Sequence, residues 1–162
     1  MPDIELLQLT VEELRGLSES RPGDYFAGAA EGALPPAHVA NRALKQLEAG
    51  MPAFWCVPFL IVARPEDTIL GGCTFKGMPS NGEVEIAYGV ASAARGRGVA
   101  TAAVGQLLKL AAANRSVQQV IAEILPSNLA STRLVSRLGF AEGDTIVDSD
   151  GDTVVRWTYS VC

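Results

Sequence analysis

Hydrophobic residues recur along this chain with two spacings, near two and near 3.6, and the switches between them delimit its elements. A short apolar run over residues 4–9 reads as an opening strand. Thr10 follows as a helix N-cap, with Glu13 completing a capping box, and this helix runs to about Ser20. Residues 21–34, rich in glycine, alanine and proline, read as a loop or broken helix. Pro35 and Pro36 open a second helix to Ala49, closed by Gly50 in the left-handed position beyond its end. Strands over 54–63 and 69–76, joined by a proline-led turn at 64–68, form an antiparallel hairpin. Asn81-Gly82 is a tight turn into a strand over 83–90.

The second half continues in the same way. Val104, Leu107, Leu108 and Ala111 set an amphipathic helix over 99–113, and 117–124 is a strand. Ser127 or Asn128 caps a further helix through Leu138, ended by Gly139, with Ala130, Leu134 and Leu138 on one face and Arg133 and Arg137 on another. Strands over 140–147 and 153–161 close the chain as a hairpin. The order is β-αα-βββ-α-β-α-ββ. It predicts an α+β fold: a mixed, mostly antiparallel twisted sheet of about seven strands flanked by about four helices. No repeat or linker divides the chain, so residues 1–162 are expected to form a single domain.

Composition supports that reading and narrows the function. At 162 residues, with 48% hydrophobic and 19% charged residues, the chain has material for one core and no disordered signature. Its longest apolar run, 53–63, is broken by Pro58 and is too short to cross a bilayer, which takes roughly 20 apolar residues. The acidic Met-Pro-Asp-Ile-Glu start lacks the basic region of a secretory signal. Cys56, Cys73 and Cys162 have no metal-ligand spacing, and His38 is the single histidine. The expectation is a reduced, soluble, cytoplasmic protein without a metal.

The net charge of −5 argues against direct nucleic-acid binding. It hides an asymmetry. Residues 91–137 hold Arg95, Arg97, Lys109, Arg115, Arg133 and Arg137 against Glu123 alone, while residues 1–50 and 138–162 each sum to −4. Solvated helix faces often acquire such charge, so its position decides its meaning.

That position is a strand, a glycine-bearing loop and an immediate helix start, running from Tyr88 to Thr101. A helix N-terminus presents unpaired N–H groups and a partial positive charge. Gly96 and Gly98 permit positive φ and leave the amides uncovered, while Arg95 and Arg97 add donors suited to phosphate oxygens. The loop is expected to bind a phosphate or diphosphate. Gly96-x-Gly98-x-x-Thr101, with Glu123 downstream, partly mimics a dinucleotide fingerprint. The third glycine is missing, however, and antiparallel hairpins rather than βαβ units precede it. No Walker lysine is present either.

Arg95-x-x-Gly98-x-Ala100 resembles the acyl-CoA diphosphate motif of the GCN5-related N-acetyltransferase (GNAT) superfamily. The run from Glu85 to Ala100 resembles its ribosomal-protein N-terminal acetyltransferase branch. So does Asn128-x-x-Ser131 followed by Leu138-Gly139-Phe140. The element order matches too, so the resemblance spans almost the whole chain. It implies a GNAT fold and acetyl transfer from acetyl-CoA, without a metal, to a primary amine: a peptide N-terminus or a small cationic amine. Val90, Arg95, Gly96, Arg97, Gly98, Val99, Ala100, Thr101 and Asn128 would hold the cosubstrate. The strand would splay near 87–91, with the amide near Val90 facing the thioester carbonyl and Gly89 suited to a bulge.

Glu83 and Glu85 alternate with Val84 and Ile86, so both carboxylates share a sheet face. Resemblance assigns the general base to Glu85; the plainer alternative is that both merely solubilise a strand. For the acid, many family members use a tyrosine at the position of Val135, so this sequence departs from the pattern and the branch offers Ser131 instead. Ser131 and Asn128 also read as ordinary capping residues. His38, Tyr25, Phe26, Trp55, Trp157 and Cys73 read as surface or core positions rather than catalysts. The missing tyrosine leaves open a non-catalytic acyl-CoA-binding regulatory domain of the same fold. Exposed strand edges and the closing hairpin make a homodimer an open expectation.

Overall fold

The computed structural model describes residues 2–23 and 26–161, so Tyr25 and Cys162 lie outside the described residues. Seven strands form one sheet: β1 (Ile4–Gln8), β2 (Phe59–Ala63), β3 (Thr68–Phe75), β4 (Glu83–Val90), β5 (Gln119–Ile124), β6 (Ala141–Val147) and β7 (Thr153–Ser160). Four helices accompany them: α1 (Val11–Ser18), α2 (Ala37–Glu48), α3 (Val99–Ala112) and α4 (Leu129–Leu138). The spatial order is β1-β2-β3-β4-β5-β7-β6. Only β4 and β5 run parallel among these strands; every other neighbouring pair is antiparallel. The α+β architecture read from the sequence is the one observed.

Local chemistry sets most boundaries. Thr10 Oγ1 accepts the Glu13 amide at 3.1 Å and Glu13 Oε1 accepts the Thr10 amide at 2.9 Å, so the capping box starts α1. Gly139, at φ 99°, stops α4 in the left-handed region that a side chain would disfavour. At the β3–β4 turn, Asn81 and Gly82 both take positive φ.

Three expectations needed correction. The strand placed at 54–63 begins only at Phe59, because residues 53–55 form a 3₁₀ turn. Proline 58 lacks the N–H that would continue the ladder. Trp55 instead packs on Phe75 at 5.0 Å and Phe54 does so at 5.4 Å, and Gln8 Nε2 ties the turn to β1 through the carbonyls of Ala53 and Val57. The bulge expected at Gly89 is absent. Pairing of β3 with β4 runs without a break from Gly71↔Val90 to Phe75↔Ile86, and the register shift lies between β2 and β3, at Ile61/Val62. Finally, β5 starts at Gln119 rather than 117, since the Val117 amide closes a turn onto Asn114.

β2 is buried on both faces, which explains its unbroken apolar run. Leu60 and Val62 pack with Leu14, Leu17, Ala40 and Ala43 of α1 and α2. Ile61 sits in the other core with Phe75, Val84 and Ile86, packed with Val104, Leu107 and Leu108 of α3. Helices on both faces thus clamp the first four strands and hold β4 in place beside β5.

Candidate active site

The sheet opens where β4 meets β5. The two strands pair only through Glu83↔Gln119, Val84↔Val120 and Glu85↔Ile121. Beyond that rung β4 stays with β3 and β5 stays with β7. The Glu85 carbonyl accepts from the Lys76 amide, and the Ala91 amide donates to the Leu70 carbonyl, so odd-numbered backbone groups of β4 face β3. Alternation turns the amide and carbonyl groups of Ile86, Tyr88 and Val90 the other way, into the gap, where no strand meets them. That splay is where the sequence reading expected it.

A cleft of about 540 Å³ occupies the opening. Tyr88, Gly89 and Val90 line it from β4; Arg95, Gly96, Gly98, Val99, Ala100 and Thr101 from the loop and first turn of α3; Asn128, Ser131, Arg133 and Arg137 from α4 and its cap. Gly98 is the N-cap of α3 at φ 78°, and no side chain caps this helix. The orphan amides of its first turn therefore remain available at the cleft wall. At α4 the equivalent position is taken, because Asn128 Oδ1 accepts the Ser131 amide at 3.1 Å. Arg95 Nε donates to the Val90 carbonyl at 3.4 Å, across the loop mouth. The expected cosubstrate residues are thus gathered here with one exception. Arg97 does not line the cleft, and its guanidinium donates to the Ala93 carbonyl at 3.2 Å.

Glu85 lies elsewhere. It lines a second cavity of about 290 Å³ with Lys76, Met78, Glu83, Ile121 and Arg156, beside the last paired rung of β4 and β5. Glu83 and Glu85, which share a face of β4, line this cavity while Tyr88, Val90 and Ser131 belong to the cleft. Glu85 and Ser131 therefore address the gap from different cavities. Both glutamates are ion-paired: Lys76 Nζ lies 3.0 Å from Glu85 and Arg156 Nη2 lies 2.7 Å from Glu83.

Two residues near the gap have no role at this site in the sequence reading: Glu123 is noted only at the offset of a dinucleotide fingerprint's acid, and Tyr88 only within a motif. Glu123, on β5, is 3.9 Å from Arg156 with its side chain only 16% exposed. Burial, and then the neighbouring charge of Glu85, raise its carboxyl above the usual glutamate value; Lys76 and Arg156 oppose this and Asp148 adds to it. Tyr88 also stands out. Its hydroxyl is buried without a partner at full hydrogen-bond geometry among the described residues. Burial raises its pKa above the ordinary tyrosine value, and the Ser131 side chain offsets part of that rise. The only available signal for either was strand parity: Tyr88 shares a face with Ile86 and Val90, and Glu123 lies two residues beyond Ile121.

The remaining candidates fall where a core reading puts them. Phe26, Trp55 and Trp157 are buried, His38 is exposed on α2 and lines neither cavity, and Val135 is fully buried. Burial pushes the Cys73 thiol up to about 12, which leaves it un-ionised and unsuited to nucleophilic work.

Comparison with known proteins now bears on this geometry. A model of the acetyltransferase (GNAT) domain matches residues 24–141. The chain belongs to the GNAT acetyltransferases. Solved structures share the GNAT fold over nearly the whole chain. An aminoglycoside acetyltransferase AAC(6')-Ib in complex with coenzyme A has TM-score 0.70 at 19% identity, covering 98% of this chain and 95% of that one. RimL, a ribosomal L7/L12 α-N-protein acetyltransferase, has TM-score 0.69 at 14% identity, covering 98% and 94%. A dodecameric spermidine N-acetyltransferase from Vibrio cholerae has TM-score 0.69 at 14% identity, covering 98% and 94%. A sequence comparison with curated proteins finds no match. Among the described residues of this GNAT chain, no helix is long and apolar enough to cross a membrane, and no cluster of His, Cys, Asp or Glu could hold a metal.

Proposed function

We propose that this chain transfers an acetyl group from acetyl-CoA to a primary amine by direct attack. One observation carries the reading. The cleft joins an uncapped helix N-terminus and three arginines, Arg95, Arg133 and Arg137, to a strand that meets no neighbour on its β5 side beyond Glu85. A diphosphate matches the first part, and an extended pantetheine arm matches the second by adding to the free strand edge. The arm would run toward Val90 and Ser131, with the Val90 amide polarising the thioester carbonyl.

The acceptor would enter from the cavity of Glu85. Glu85 lines that cavity; besides burial, its charge and that of Asp148 raise the carboxyl of Glu123, while Lys76 and Arg156 lower it. A cationic amine eases that repulsion, which supports an amine acceptor rather than an alcohol. The amine arrives mostly protonated, so Glu85, directly or through water, first takes one proton to free the lone pair, and a second proton leaves the nitrogen to water once the N–C bond has formed. The C–S bond then breaks and the departing thiolate is protonated on the opposite side, by Ser131.

A thiol-release assay with acetyl-CoA and a panel of amines tests the proposal. At least one peptide N-terminus or small cationic amine should accelerate release of CoA well above hydrolysis. If CoA binds but no amine accelerates release, and Glu85→Gln leaves the background unchanged, the chain is instead a non-catalytic acyl-CoA-binding domain. The buried Val135, where many relatives carry a tyrosine, favours that second reading.

A further inference from the structure

The mechanism above leaves one buried polar group unused, the Tyr88 hydroxyl. It lies on the β4 wall of the cleft, across from Ser131 on α4. Among the described residues it has no partner at full hydrogen-bond geometry, although the Ser131 side chain lies close enough to act on it as a hydrogen-bonding partner. Buried hydroxyls are nearly always paired, so an orphan aimed at another hydroxyl calls for a reason. The Ser131 amide is already held by Asn128, which fixes the backbone of this residue and leaves its side chain as the group that faces the cleft.

A chemical difficulty gives that reason. A serine hydroxyl is a far weaker acid than a thiol, so Ser131 alone would have to become an alkoxide to protonate a thiolate. A phenol, ordinarily about 10 against about 8.5 for a thiol, lies far closer than an alcohol even though burial raises Tyr88, and the Ser131 contact offsets part of that rise. Resting on the acyl-CoA reading of the cleft, we propose that Tyr88 is a positioning and proton-relay residue behind Ser131. As the C–S bond breaks, the Ser131 O–H proton moves to sulfur and the Tyr88 O–H proton moves to the serine oxygen. The serine is thereby never left as an alkoxide. The charge rests on the phenolate, which regains a proton from solvent, while of the two amine protons one leaves through Glu85 and the other to water. No oxidant, metal or additional group enters the balance.

Tyr88→Phe keeps the ring that packs beside β4 and removes only the hydroxyl. The test follows thiol release from acetyl-CoA, with the best amine of the panel or with water alone, and measures binding of CoA separately. The expected result is a fall in kcat of about tenfold or more, with the Kd for CoA within about threefold of the wild type. Because the hydroxyl's contact with the Ser131 side chain falls short of full hydrogen-bond geometry, Tm should stay close to the wild type. The Tyr88→Phe/Ser131→Ala double variant should lose no more than about twofold beyond Ser131→Ala, since the relay passes through the serine. A proton inventory curved in the wild type should become linear in Tyr88→Phe. The proposal is overturned if Tyr88→Phe retains kcat within about twofold, or if the two losses multiply. Failure of the wild type itself to bind CoA is a different outcome, and overturns the underlying reading of the cleft as well.

Discussion

Glu123 is the residue whose environment has the clearest consequence for stability. Burial and Glu85 raise its carboxyl, so the folded protein keeps that proton to higher pH than the unfolded chain does. Folding is then opposed as pH rises through the raised value, because the native state binds more protons than the unfolded state there. Glu123→Gln should raise Tm at pH 7, and the gain should shrink as pH falls toward the ordinary glutamate value of about 4.3. Arg156 retains Glu83 at 2.7 Å, so the substitution does not strand a cation. Thermal scans across pH check this; a lower Tm at pH 7 would contradict it. On the chemistry, Ser131→Ala should lower turnover by about 10²- to 10⁴-fold with CoA binding retained, measured as kcat and Kd separately. Resemblance to the family singles out Glu85 and Ser131, while strand parity and the helix cap by themselves allow a plain structural reading of both. Sequence reasoning gives Tyr88 and Glu123 no part here, because what distinguishes them is burial and contact with residues distant in the chain: Ser131 of α4 for one, and the charges of Arg156 on β7 and Asp148 in the β6–β7 turn for the other.

The opening between β4 and β5 depends on two backbone arrangements. Gly71 is the first. A Cβ there would lie 2.2 Å from the Gly89 carbonyl oxygen and 2.9 Å from Val90 Cα, so β3 and β4 approach as only glycine allows. Gly71→Ala should destabilise the fold by about 1–3 kcal/mol and displace the Val90 edge. Chemical denaturation reads the stability, and an unchanged midpoint would mean that β3 and β4 separate freely. The second arrangement is the start of α3, where Gly98 sits at φ 78° with its would-be Cβ in open contact, 3.6 Å from Pro2. Gly98→Ala is therefore a conformational change more than a steric one, costing about 1–2 kcal/mol, and should weaken CoA binding as the loop shifts. Element by element, the sequence was legible wherever a cap, a glycine or an alternating run acts locally: Thr10 with Glu13, Asn128, Gly139 and the whole of β4. It was not legible at residues 54–58, where an apolar run looks like strand until Pro58 ends the ladder and Trp55 turns onto Phe75. Nor could the missing bulge at Gly89 be foreseen, since register depends on how β3 meets its two neighbours.

Across the molecule, the charge asymmetry becomes spatial. Arg95, Arg133 and Arg137, distant in the chain, meet around the cleft, while Lys109 and Arg115 of the same basic stretch do not line it. Acidic side chains of the last segment, Glu142, Asp144, Asp150 and Asp152, are exposed, and only Asp148 presses on the site. An arginine-lined cleft and a carboxylate-bearing cavity lie on either side of the point where β4 and β5 stop pairing, beyond Glu85. A two-substrate reaction with an anionic donor and a cationic acceptor has use for that division. All of it rests on the amides at the start of α3 and the free edge of β4 gripping acetyl-CoA together. A thermal-shift titration with acetyl-CoA, repeated on Arg95→Gln, measures that grip directly. The account expects saturable stabilisation of the wild type, about 2.7 kcal/mol at 100 times the dissociation constant, and roughly tenfold weaker binding in the variant. No shift at millimolar acetyl-CoA, or an equal shift in both proteins, would contradict it.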